Sequence, residues 1–296
     1  MEKAVYVIIL NYNGYEDTIK CIQSVKKSTY QKLRIIVIDN GSKDFSENRI
    51  KEVFPDIYII QTGKNAGFAG GNNIGIRYAL QEGADYICLL NNDVLVAEDM
   101  ISILVKVLKE NERRIVGPAT MIWREEIIHS TGLKINFSKG TARLINLKEN
   151  YERVEKCPIY CDYLEGTCLM FAPNLIQEVG LIPEEYFLYY EETEWCCKAK
   201  KRRYDIVCIP QAKLWHKGSA SVNKITGLKL YFEDRNRVLF ERRNAPLIKR
   251  LLFYLYFFIQ LIYRILSHQR DVRAFRAVLD GYRGKIDWTF YDDNSK

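Results

Sequence analysis

An α/β protein with a mainly parallel sheet flanked by helices, and a helical tail at its C-terminus, is predicted from three observations. Apolar β-branched runs alternate with helix-periodic segments from Ala4 to Leu90, the pattern of parallel strands joined by crossover helices. Three of these runs end in polar clusters, at residues 11–14, 39–42 and 91–93, and such sheets bind ligands outside the carboxyl ends of their strands. The last quarter turns basic and aromatic, a shift that sets a tail, 241–296, apart from a main unit, 1–240.

Residues 4–10 are a short, continuous apolar run stopped by Asn11, Asn13 and Gly14, and read as a buried strand. Ile19, Ile22 and Val25 then recur at helical spacing, and the run 33–38 stops at Asp39-Asn40-Gly41-Ser42. A helix at 46–54 leads to a strand at 57–60, a glycine-rich turn, a helix reaching Leu80, and a strand at 86–90 ending in Asn91-Asn92-Asp93. Past Val116 the periodicity weakens, with helical spacing at 175–179 and 195–201 and a strand at 206–209. The uncharged stretch 251–263 lies between Lys249-Arg250 and Arg264, and is shorter than the ~20 apolar residues of a spanning helix. Tyr254, Tyr256, Tyr263 and the basic flanks suit a helix lying in an anionic membrane interface. A helix facing the core, or pairing between subunits, is the alternative.

With 48% hydrophobic and 27% charged residues, the 296-residue chain has globular and not disordered composition. Net charge is +7, its excess carried by Arg235, Arg242, Arg243, Lys249, Arg250, Arg264, Arg270, Arg273 and Arg276. These charges flank an apolar aromatic run and form no continuous stripe, which argues against nucleic acid. Residues 4–10 are too short for a signal peptide and lack a small-residue cleavage site, so a cytoplasmic protein is expected. The eight cysteines show no C-x-x-C spacing. Reduced thiols are expected, with Cys157, Cys161 and Cys168 as small buried hydrophobes and not metal ligands.

Four segments can carry chemistry. Asp93, ending a strand, can hold a hard divalent cation, Mg²⁺ or Mn²⁺, together with a diphosphate; Asn92 and Asp93 can equally form a plain turn. The segment 65–75 (NAGFAGGNNIG) can offer backbone amides to phosphate or ribose at a helix N-terminus, or simply connect; it lacks the spacing of a dinucleotide site. Glu191, Glu192 and Glu194 stand among aromatics, where one carboxylate can serve as general base or all three can favour a helix dipole. His216, one of 3 histidines, is a structural residue or a second ligand beside Asp93.

In their order along the chain, Asn11-Tyr12-Asn13-Gly14, residues 37–42, 67–75, 89–94 and 187–194, and Trp215-His216 resemble the motifs of the GT2 glycosyltransferases, in particular the rhamnosyltransferase-like and galactofuranosyltransferase-like branch. The resemblance spans about 4–240. It implies a GT-A fold and an inverting transferase that uses Mg²⁺ or Mn²⁺ and a UDP- or dTDP-sugar, dTDP-rhamnose among them. Asp39 would then recognise the donor base, Asp93 be the metal-binding aspartate, His216 the second metal ligand and Glu192 the base. Asn11, Asn13, Gly67, Asn72, Asn73 and Asn92 become donor-side candidates, with Glu191, Glu194 and Trp215 supporting the acceptor side. Departures from the family pattern are asparagines at 91 and 92, glutamate at 192 and Asn72 in place of an arginine. Acceptors in this branch are glycans or lipid-linked sugars, so a peripheral place on the inner face of the membrane is expected. A nucleotidyltransferase would want a phosphate-gripping lysine or arginine within 11–15, where none stands; a non-catalytic sugar-nucleotide module would not need both Asp93 and Glu192.

Overall fold

The computed structural model describes residues 2–218, 226–267, 269 and 274–288; Arg270 and Arg273 lie outside them. Strands and helices alternate as expected through β1 (Val5–Asn11), α1 (Tyr15–Lys26), β2 (Leu33–Asp39), α2 (Ser46–Val53), β3 (Tyr58–Gln61), α3 (Gly67–Gln81) and β4 (Tyr86–Asn91). Then follow β5 (Val94–Val96), α4 (Met100–Glu110), β6 (Arg114–Ile122), β7 (Ile128–Ser130), β8 (Leu133–Asn136), β9 (Thr141–Leu144), β10 (Ile159–Tyr160) and β11 (Cys168–Phe171). The chain closes with α5 (Asn174–Val179), α6 (Glu191–Lys201), β12 (Asp205–His216), α7 (Thr226–Asn244), α8 (Leu247–Leu266) and α9 (Ala274–Arg283).

The main sheet runs β10-β12-β6-β11-β4-β1-β2-β3. Strands β3, β2, β1 and β4 pair in parallel, β11 is antiparallel to both β4 and β6, and β6 and β12 are again parallel. The pleat sends alternate residues to opposite faces. On β1, Val5, Val7 and Ile9 pack under α1 and α4 with Ile22 and Leu104, while Tyr6 and Ile8 pack with Ile76 of α3 and Trp195 of α6. Both faces are covered, which is why the strands read as unbroken apolar runs.

The glycine-rich segment is helix and not turn, because α3 starts at Gly67. A Cβ on Gly71 would stand 2.4 Å from Leu10 Cδ1, and one on Gly75 2.5 Å from Ile8 Cγ2. These glycines bring α3 down onto β1, so their role is packing. Cys161 and Cys168 are buried as expected, but Cys157 is exposed; all eight cysteines are free.

The 240/241 boundary falls inside α7, which is tied to the core. Arg235 is fully buried, with Nη1 donating to Glu185 O (2.6 Å) and Nε to Lys285 O (2.9 Å) beyond α9. Arg237 is also buried, so part of the basic excess is interior. Helix α8 buries Phe253, Phe257 and Leu261 and exposes Leu251, Leu255, Phe258, Ile259 and Ile262. Among the described residues no helix is long and apolar enough to cross a membrane.

Candidate active site

The three polar clusters do converge, and much of their chemistry fixes the loops to one another. Asn11 is fully buried at the end of β1 beside Asp39. Its Nδ2 donates to Ser42 Oγ (3.1 Å) and its Oδ1 accepts from Thr18 Oγ1 (2.7 Å). Asp39 Oδ1 accepts from Ser42 N (2.9 Å), and Asn13 Oδ1 from Lys43 N (2.7 Å). Asn92 Nδ2 reaches Gly14 O (3.2 Å) and Thr18 Oγ1 (3.0 Å). Asn40 closes the next loop, donating to Gly67 O (3.1 Å) and accepting from Ala66 N (3.0 Å).

Beside these loops lies a cavity of about 420 Å³ whose wall includes Asn40, Gly67, Asn92, Asp93, Glu192 and His216. Strand β5 pairs antiparallel with β12 in the register His216↔Val94. That register sets His216 next to Asp93, with Nε2 and Oδ1 3.2 Å apart and both side chains largely shielded. The two atoms do not form a hydrogen bond, and His216 Nε2 is buried without a partner. A nitrogen and a carboxylate oxygen facing one cavity in this way fit a divalent cation. Among the described residues no third His, Cys, Asp or Glu joins them, which leaves most of the coordination shell to a ligand's oxygens and water, as Mg²⁺ prefers.

Glu192 enters the same cavity from the first turn of α6, preceded by a strained segment. Phe187, Tyr189 and Tyr190 take φ of 63°, 68° and 75°, a region that costs non-glycine residues about 1–2 kcal/mol each. Asn236 of α7 holds the segment, its Nδ2 shared among Tyr186 O (2.9 Å), Leu188 O (2.6 Å) and Tyr189 O (3.0 Å). Burial, with the Glu165 charge adding to it, pushes the Glu192 carboxyl up to about 7. Its neighbour Glu191 is also raised, first by burial and then by Glu192. A carboxyl near 7 is matched to general base work at neutral pH.

Gly67, Asn92, Asp93, Glu191, Glu192 and His216 thus line one cavity. Asn73 does not join them, because Nδ2 donates to Ile182 O (2.9 Å) and Glu184 Oε1 (2.8 Å) and Oδ1 accepts from Ile182 N (3.0 Å); it fastens α3 to the chain before α6. Asn72 Nδ2 turns back to Phe68 O (3.0 Å). Asn11, Asn13 and Asp39 hold the rim. Glu194 points into the protein, bonded to the Tyr186 hydroxyl and paired with Lys198 (3.3 Å) and Arg243 (3.5 Å). Trp215 alternates with His216 along β12, so its side chain leaves on the other face, where Nε1 donates to Glu125 O (3.1 Å). Sequence reasoning missed Glu165, Phe187 and Tyr189 in the wall. The acid before the apolar run at 168–171 was the one available signal for Glu165.

Residues 6–170 match the family described as glycosyl transferase family 2. The hexosyltransferase Agl10 of low-salt glycan biosynthesis in Haloferax volcanii is 28% identical over 243 residues, 79% of this chain and 74% of its own. The dTDP-rhamnosyl transferase RfbF of Shigella flexneri is 25% identical over 298 residues, 96% of this chain and 97% of its own. Among solved structures, GalNAc-T7 with UDP, GalNAc and Mn²⁺ superposes with a TM-score of 0.62 at 17% identity, over 90% of this chain and 58% of that one. The mannosyltransferase PcManGT of Pyrobaculum calidifontis, in complex with GDP-Man and Mn²⁺, gives 0.58 at 14% identity, over 96% and 74%. At these identities the structural likeness is one of fold.

Proposed function

The chain belongs to glycosyl transferase family 2, and from that premise we propose that it moves a sugar from a nucleoside diphosphate donor to a hydroxyl of a glycan or lipid-linked acceptor, with inversion. The observation that carries this reading is the meeting of Asp93, His216 and Glu192 on one cavity. Asp93 Oδ1 and His216 Nε2 would hold Mg²⁺ or Mn²⁺. Bound there, the cation supplies charge neutralisation for the departing nucleoside diphosphate. Glu192 takes the proton of the acceptor hydroxyl as it attacks the anomeric carbon, and one direct displacement inverts that centre. Asn40, Gly67 and Asn92 line the donor's path, and Asp39 serves its base end through the loop 39–42 that it stiffens.

RfbF, a dTDP-rhamnosyl transferase, makes dTDP-rhamnose the first donor to try. The ¹H NMR signal of the product's anomeric proton is the test: a configuration opposite to the donor's is expected, and a retained one would overturn the direct displacement. The exposed apolar face of α8, beside Lys249 and Arg250, supports peripheral attachment to an anionic membrane surface. Leu255→Glu with Phe258→Glu should release the protein from phosphatidylglycerol vesicles in co-sedimentation; undiminished binding would remove α8 from that role.

A further inference from the structure

A second cavity, of about 390 Å³, opens on the other side of Glu192, with Tyr163, Tyr190 and Phe240 in its wall and α7 and α8 closing it. Glu192 and Tyr189 line both cavities, so the proton-accepting carboxylate stands between them. Glu241 and Arg237, one turn apart on α7, also face this space. Glu241 is fully buried, and neither of its carboxyl oxygens has a hydrogen-bond partner. Arg237 donates to Gln260 Oε1 (2.8 Å) and Lys139 O yet keeps Nε unpaired. Buried polar groups are normally satisfied, so two left open on one cavity mark a place for a ligand's polar atoms. Burial outweighs the Arg237 charge and pushes the Glu241 carboxyl up to about 8, a form that both donates to and accepts from hydroxyls.

We infer that this cavity seats the terminal sugar of the acceptor, and that Glu241 and Arg237 bind its hydroxyls. The tyrosine and phenylalanine rings take the C–H faces of a neutral sugar, and the cavity's size falls within the ordinary range for small-molecule sites. The inference rests on Glu192 being the base.

Saturation-transfer NMR on the full chain tests it, with methyl α-L-rhamnoside, methyl β-D-galactoside and methyl N-acetyl-β-D-glucosaminide as probes. At least one glycoside should receive saturation that persists in excess dTDP or UDP with Mn²⁺. Its signal should fall roughly tenfold in Glu241→Ala, as for loss of one strong hydrogen bond to a partly charged site. Ala142→Trp, at an exposed position on the cavity's edge, should abolish the signal without touching the buried carboxyl, which guards against misfolding of the first variant. A signal displaced by nucleotide, or undiminished in either variant, overturns the inference. So does the absence of any glycoside signal from protein that binds nucleotide with Mn²⁺; failure to bind nucleotide at all would instead strike the transferase reading.

Discussion

Lowering the pH should switch off transfer in a range where an ordinary glutamate would still be ionised. The Glu192 carboxyl stands at about 7 against an ordinary 4.5, and only its ionised form accepts a proton. About a tenth of the molecules then carry a competent base at pH 6 and about a hundredth at pH 5, whereas an unshifted carboxyl would be almost fully ionised at pH 6. The raised value is that of the protein without substrate, so kcat/KM should fall by about tenfold per pH unit below 7 and level off above it. Initial rates of nucleoside diphosphate release between pH 5 and 9, at constant ionic strength, read this directly. Glu192→Gln should lower kcat by about 10²–10⁴ and leave no pH step. A wild-type kcat/KM that stays flat down to pH 5.5, or a Glu192→Gln enzyme with normal turnover, would refute the assignment.

Asn236→Ala should unfold more easily, by about 1–3 kcal/mol for the first buried carbonyl left unpaired. It should also lower kcat more than it weakens nucleotide binding, because it loosens the segment that aims Glu192; urea titration and steady-state kinetics check both. Gly67→Ala meets φ of +73° and a Cβ 2.4 Å from Phe187 O, so a loss exceeding the ~1–2 kcal/mol of the left-handed backbone alone is expected by thermal denaturation. Glu241 is an acid raised from 4.5 to about 8, so the folded state holds its proton more tightly than the unfolded one and stability declines as pH rises between those values. Glu241→Gln should therefore raise Tm at pH 8 relative to wild type and change it little at pH 4.5, as differential scanning calorimetry would show.

The first half of the fold was legible because β1, the end of β2, and β4 are buried on both faces and stand as apolar runs bounded by Asn, Asp and Gly. The region from β6 to β11 was not. After β6 its strands are short, β11 enters the sheet antiparallel, and β8 and β9 form a separate two-stranded sheet, so no single period runs through it. At the site, Asp93, Glu192 and His216 were recognisable by residue type and position relative to strands and helices. That Asp93 and His216 meet depends on the β5–β12 register, a long-range pairing that spacing along the chain cannot disclose. Asn73, Glu194 and Trp215 belong to the same motifs, yet their polar atoms serve the fold. A motif shows that a segment matters without telling which of its side chains turn inward. The glycines of α3 taught a similar lesson, since their missing side chains admit the β1 residues Leu10 and Ile8.

Isothermal titration of dTDP-rhamnose and UDP-sugars into the protein, with Mn²⁺ and again with EDTA, tests the central claim most directly when run beside Asp93→Asn. Binding of one donor that requires Mn²⁺ and is lost in Asp93→Asn is the predicted result. Equal binding with and without metal, or undiminished Mn²⁺-dependent binding by Asp93→Asn, would contradict it.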